Sequence, residues 1–414
     1  MRHFIRIVFL LLFIVSGKSF AQNTKRVLFL GNSYTAFNNL PLLLKNTALS
    51  TGDSINIDSN TPGGYTLQGH STNTTSQSKL MAGNWDFVIL QEQSQLPSFP
   101  DDQVAVEVFP YAKFLDSVIN QYSPCAETVF YRTWGRKVGD ASNCASWPPV
   151  CTYEGMDSLL HMRYMQMAND NNALVSPVGV VWKYLRAMHP EIELYASDGS
   201  HPSVAGSYAA ACSFYSVILR KNPIAISYNF GLTDTVARSI KEAVKLMVYD
   251  SLSKWFVGKY DPVASSEHSI TDNTISFYNQ STAADTYFWE FGDGATSTEF
   301  QPEHTYAMSG IYTLSLIASR CGYADTLQTQ INVNVLQDNQ VVCFPNPVQS
   351  NFVVRTNSTL TGKTYCLYNS TGQLVRKGTL NTNYTFVQTI NLPAGMYVLK
   401  IEGVENKPIS IIKN

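Results

Sequence analysis

Between Arg26 and about Gly258, short apolar runs alternate with longer amphipathic stretches. That alternation leaves a chain few choices. A short apolar run bounded by turn residues fits a strand covered on both faces, and the amphipathic stretches supply the helices that cover it. The pattern predicts a three-layer α/β/α domain over residues 24–258 with a mostly parallel sheet. Strands are expected at 26–30, 55–58, 87–90, 128–131 and, briefly, 174–176, with helices between them. In such sheets ligands bind beyond the C-terminal ends of the strands, so the segments that follow these runs are where chemistry is to be sought.

After Lys259 the helical period disappears. Short stretches rich in Thr, Tyr, Val and Ile follow, separated by Gly, Asn and Asp turns, which predicts two small β-sandwich modules at 264–336 and 341–414. Three folded modules suit 414 residues, more than one core usually organises. The first residues carry Arg2 and Arg6, an apolar run from Ile7 to Val15 and then Ser19-Phe20-Ala21, the layout of a signal peptide over 1–21 cleaved after Ala21. That run is shorter than the roughly 20 residues a bilayer requires, and no later segment reads as an integral membrane span.

A net charge of −2 with 14% charged residues argues against a nucleic-acid partner. Seven cysteines lack the close paired spacing of a zinc site; Cys144 and Cys151 could close a small loop, and the odd count leaves at least one thiol unpaired. His70, His161 and His189 are scattered without partners at metal-binding spacing, so neither a metal nor a cofactor is expected.

The first expected strand runs into Gly31-Asn32-Ser33-Tyr34-Thr35, with a helix expected from near Leu40. A hydroxyl there becomes a nucleophile only with a base in reach, usually a histidine oriented by a carboxylate. Alone, Ser33 reads as a turn or capping serine. The complement lies far along the chain, in Asp198-Gly199-Ser200-His201-Pro202-Ser203, ahead of a helix expected over 204–219 whose start Pro202 would fix. By itself this is an Asp-Gly turn with a surface histidine; the three-residue spacing also lets Asp198 hold one imidazole nitrogen while the other faces a hydroxyl.

Together the two segments resemble the first and last sequence blocks of the SGNH/GDSL hydrolases, over roughly residues 25–222. The resemblance implies an acyl-enzyme on Ser33, with His201 as base and Asp198 orienting it. Asn32 stands where the family has an aspartate that is not the triad acid. The family's second block implies an oxyanion donor from Pro62-Gly63-Gly64, taken as Gly64 with Gly63 the close alternative, beside the N–H of Ser33. Its third block, usually Gly-x-Asn-Asp, is Leu90-Gln91-Glu92-Gln93-Ser94 here; the amide donor is taken as Gln91, with Gln93 in reserve. A long loop from Tyr131 to Thr152 offers Trp134 for stacking on a sugar and Arg136 for an acyl or carboxylate oxygen.

Trp289-Glu290-Phe291-Gly292-Asp293-Gly294 with His304-Thr305-Tyr306 resembles the PKD domain, with Trp289 and Tyr306 as core aromatics. Phe344-Pro345-Asn346-Pro347, Leu367-Tyr368-Asn369, Gly372 and Leu392-Pro393-Ala394-Gly395-Met396-Tyr397 resemble the C-terminal sorting domain of the type IX secretion system. That implies the secretion machinery as a partner and a secreted or cell-surface location. The expectation is an exported serine esterase acting on acyl esters, O-acetyl or related esters of a polysaccharide among them. The alternative is a noncatalytic glycan-binding or adhesion protein on a hydrolase scaffold.

Overall fold

A computed structural model describes residues 24–336, 339–405 and 407–414; the expected signal peptide lies outside them. The chain divides into two compact units, one up to Tyr260 and one from Asp261.

The first unit is built on β1 (Lys25–Leu30), α1 (Ser33–Ala36), α2 (Leu40–Leu49), β2 (Ile55–Asn60), α3 (Leu67–Thr72), α4 (Thr74–Met81) and β3 (Phe87–Leu90). There follow α5 (Asp101–Glu107), α6 (Phe109–Tyr122), β4 (Glu127–Tyr131), α7 (Tyr153–Asp170), β5 (Leu174–Ser176), α8 (Val178–Met188), α9 (Val204–Leu219) and α10 (Asp234–Met247). The five strands form one parallel sheet in the order β2-β1-β3-β4-β5. Central strands are apolar throughout because helices cover both faces: Val27 to Leu30 and Phe87 to Leu90 are all buried. β2 lies at the edge and accordingly turns polar after Ile57.

The helices follow the same logic. On α10 the buried Ala237, Ile240, Ala243 and Val244 recur at helical spacing and leave the other face to solvent. By contrast α9 is buried from Ala205 to Ile218, so it is apolar or small nearly all round. Its Gly206 is required by close approach, since a Cβ there would lie 2.3 Å from the carbonyl oxygen of Leu194. Ser203 caps this helix by accepting the N–H of Gly206; Pro202 stands one residue ahead of the cap rather than inside the first turn. Among the described residues no helix is long and apolar enough to cross a membrane.

The strand order reverses direction between β1 and β3, and this switch opens a crevice at the C-terminal edge where loops diverge. Ser33, the Gly63-Gly64 turn and Gln91 to Gln93 follow β1, β2 and β3, so the topology alone brings three remote segments to one rim.

The second unit is all antiparallel. One pair of sheets joins Glu303–Thr305, Thr274–Asn279 and Ser266–Thr271, and Tyr323–Val333, Gly310–Arg320, Thr286–Glu290 and Thr296–Ser297. Trp289 and Tyr306 are buried in their shared core. Another pair joins Val341–Phe344, Asn351–Thr356 and Tyr384–Gln388, and Leu374–Thr379, Thr364–Asn369, Gly395–Ile401 and Ile409–Lys413, around a separate core.

Candidate active site

Ser33 is the first residue of α1, a single turn not anticipated from the sequence. Asn32 caps it, its Oδ1 accepting the N–H of Tyr34 at 3.1 Å. The N–H of a first helical residue has no partner within its helix, so that of Ser33 is available to a ligand. The Asn32 amide donates to the carbonyl of Tyr65 at 2.9 Å and ties the serine turn to the glycine loop. Asn32 thus does a local structural job compatible with the absence of an aspartate.

The three residues expected to form a triad meet. His201 Nε2 lies 2.8 Å from Ser33 Oγ, and His201 Nδ1 lies 2.5 Å from Asp198 Oδ2. The other carboxylate oxygen of Asp198 accepts the N–H groups of Ser200 and His201 at 2.9 and 3.0 Å. Desolvation opposes the charge on Asp198, but its bonds from His201 and from the Ser200 and His201 N–H groups outweigh it and hold the pKa below the usual carboxylate value. An acceptor at Nδ1 puts a proton there and leaves Nε2 free to take one from the serine.

Gly64 has φ +69, a conformation that favours glycine, and both Gly63 and Gly64 are exposed with open space where a Cβ would stand. Neither N–H has an acceptor among the described residues.

Gln91 requires a correction. It is fully buried, its Oε1 accepts the Asn32 N–H and the Thr35 hydroxyl, both at 2.9 Å, and its amide donates to the carbonyl of Glu92. A side chain with 0% exposure cannot reach an oxyanion. Gln93 is half-buried; its Oε1 is held by the N–H groups of Gln95 and Leu96, and its amide donates to Gln95 Oε1, leaving a second amide hydrogen.

Trp134 requires another. It has 0% exposure and stacks on Tyr34 at 5.0 Å and on Trp182 at 3.6 Å, so neither face can meet a sugar. Its indole N–H donates to the Ser200 carbonyl at 3.0 Å and so steadies the loop that carries His201. Tyr34 does likewise through its hydroxyl, 2.7 Å from Ser200 Oγ. Arg136 is paired with buried Asp140 at 3.1 Å and keeps a side-chain exposure of 27%.

Several supporting residues escaped the sequence reading. His70 is buried, with Nε2 2.9 Å from the Gly31 carbonyl and Nδ1 2.7 Å from Ser76 Oγ, so Nε2 carries the proton and braces the serine turn. Glu92 is buried beneath the rim, accepting the N–H of Leu67 at 3.1 Å and of Gln93 at 2.5 Å. Desolvation pushes its carboxyl up to about 8, against the pull of those two N–H groups. Neither has a sequence signature, because each acts through contacts set by the tertiary fold. Cys144 and Cys151, whose pairing the sequence left open, form a disulfide, while Cys212, Cys343 and Cys366 are free thiols. Among the described residues no group of three or more His, Cys, Asp or Glu is arranged to hold a metal.

Residues 260–335 match the family model of the PKD domain, and residues 342–413 match that of the secretion system C-terminal sorting domain. The chain carries both domains. ColA, a collagenase of Bacillus cereus, is 36% identical over 76 residues, 17% of this chain and 8% of that protein, so the chain spans under a tenth of that relative's length. A DUF4886 family protein from Bacteroides uniformis is similar in structure over 56% of this chain and 95% of its own, at 17% identity and a TM-score of 0.48. A protein from Slackia heliotrinireducens assigned to the SGNH hydrolases covers 46% of this chain and 97% of its own, at 29% identity and a TM-score of 0.38. The N-terminal unit itself is a parallel five-stranded sheet with helices.

Proposed function

We propose that the chain is an exported serine esterase that hydrolyses acyl esters on carbohydrate, O-acetyl or related. The observation that carries the reading is the hydrogen-bonded relay from Ser33 through His201 to Asp198, 2.8 and 2.5 Å long. In the reaction Ser33 Oγ attacks the acyl carbon while its proton passes to His201 Nε2. The oxyanion is held by the N–H of Ser33, a glycine N–H from Gly64 or Gly63, and the amide of Gln93. As the intermediate collapses, the C–O bond to the alcohol breaks and His201 Nε2 returns the proton to the departing oxygen. Water then repeats both steps on the acyl-serine and releases the acid. Arg136, at the same rim, would hold a polar oxygen of the substrate.

The sorting domain supports export through the type IX machinery and a secreted or surface location. A PKD domain in the same chain suits an extracellular polymer as substrate. The test is hydrolysis of p-nitrophenyl acetate and a panel of acetylated glycans by the mature protein, Ser33→Ala and His201→Ala. Activity in the wild type lost in both variants supports the reading. A folded wild type inert on every ester would turn it to a noncatalytic glycan-binding protein.

A further inference from the structure

Phe37 is 38% exposed at the rim of the site. Its ring lies almost parallel to the imidazole of His201, with centroids 4.4 Å apart and planes 19° apart, so one face covers the histidine and the exposed surface of the residue lies away from that contact. The chain adopts an uncommon backbone to put it there: Asn38 and Asn39, both non-glycine, follow it at φ 54 and φ 50. The turn is clasped on both sides. The Asn38 amide lies 3.0 Å from the Ser203 carbonyl, 3.2 Å from that of Pro202 and 2.9 Å from Ser207 Oγ, all just beyond His201 in the chain. Asn39 caps α2 through the N–H of Leu42. An exposed aromatic ring is therefore held firmly against the base rather than left to fold onto the core.

Its place matters because of where the ester must lie. The departing alcohol oxygen takes its proton from His201 Nε2, so the alcohol sits along the imidazole edge, whereas the acyl oxygen points to the Gly64 and Gln93 side. Phe37, stacked on that imidazole, is the exposed ring next to the group that protonates the alcohol. We propose that the exposed surface of Phe37 is the platform for the alcohol part of the ester, and that this alcohol presents a flat apolar face of the kind a pyranose ring offers. The inference rests on the serine esterase reading and adds which half of the substrate that residue recognises.

The test compares esters with one acyl group and two alcohols, ethyl acetate and a set of monoacetylated methyl glucosides, in the wild type, Phe37→Ala and Phe37→Trp. The wild type is expected to prefer a sugar ester. Phe37→Ala should lower the ratio of kcat/KM for sugar ester over ethyl ester by about tenfold, the size of a lost aromatic contact, and Phe37→Trp should keep it. Deacylation, which starts from the same acetyl-serine whatever the alcohol, should be unchanged in both variants. An equal fall for both esters would mean that Phe37 only props His201, and no fall would mean that it does neither; each outcome overturns the platform and leaves the esterase reading standing. A folded wild type inert on all esters overturns both.

Discussion

Gln91 Oε1 accepts the backbone N–H of Asn32 at 2.9 Å, which locks the turn that carries Ser33 to the end of β3. The residue expected to face the substrate therefore serves the nucleophile from below, whereas Gln93, two positions on, is only half-buried.

This division of labour separates two variants. Gln91→Ala strands the Asn32 N–H and the Thr35 hydroxyl in a buried setting, at about 1–3 kcal/mol for each unsatisfied group. A lower Tm is expected, measured by thermal unfolding. Gln93→Ala releases the Gln95 and Leu96 N–H groups at a half-buried position, so its Tm should fall less than that of Gln91→Ala, while kcat falls by about 10²-fold, the usual cost of one oxyanion donor. The opposite pattern would restore Gln91 to the oxyanion.

Asp198→Asn tests the relay more finely than removal of a side chain. Oδ1 of Asp198 accepts two backbone N–H groups, so an asparagine would keep its oxygen there and turn its NH2 toward His201 Nδ1. That forces the proton of the ring onto Nε2, where it cannot accept from Ser33. A fall in kcat of about 10³–10⁴-fold with little change in Tm is expected; retained activity would show that Asp198 does not set the tautomer.

Trp134 should behave as a core residue. Trp134→Ala removes a fully buried indole between two rings, at about 3–5 kcal/mol. Trp134→Phe keeps most of the stack but loses the donor to the Ser200 carbonyl, so kcat should fall while KM for glycan esters is unchanged. A rise in KM confined to glycan esters would contradict burial.

Glu92 makes a prediction about pH. Its folded-state pKa is raised from the ordinary 4.5 to about 8, chiefly by desolvation. Between those values the folded protein keeps a proton that the unfolded chain has lost, so this group's contribution to stability declines as pH rises through that window. Glu92→Gln should flatten the decline of Tm between pH 5 and 8, within the window set by those two values. A wild-type profile no steeper than that of the variant would mean that Glu92 is already ionised at neutral pH.

Much of this was legible in the chain. All five strands of the sheet lie where they were expected, two of them to the residue, and β3 was the plainest because a strand buried on both faces must be apolar along its length. The helix Val204–Leu219 lies where it was expected, although Ser203 rather than Pro202 caps its start. The β modules declared themselves by period and turn residues, and Trp289 and Tyr306 took the core positions expected of them.

What the sequence determined by itself was the set of chemical groups and the ends of strands on which they stand: a serine after β1, glycines after β2, glutamines after β3, and an aspartate and histidine before α9. Local physics suffices there, since periodicity and turn chemistry act over a few residues. Tertiary structure alone decided which side chains face the crevice and which face the core. Gln91 and Gln93, Trp134 and Phe37 are of the same two types, yet their roles are divided by burial, and burial depends on neighbours such as Asn32, Trp182 and His201 that lie far away along the chain, 59 residues in the case of Asn32 and Gln91.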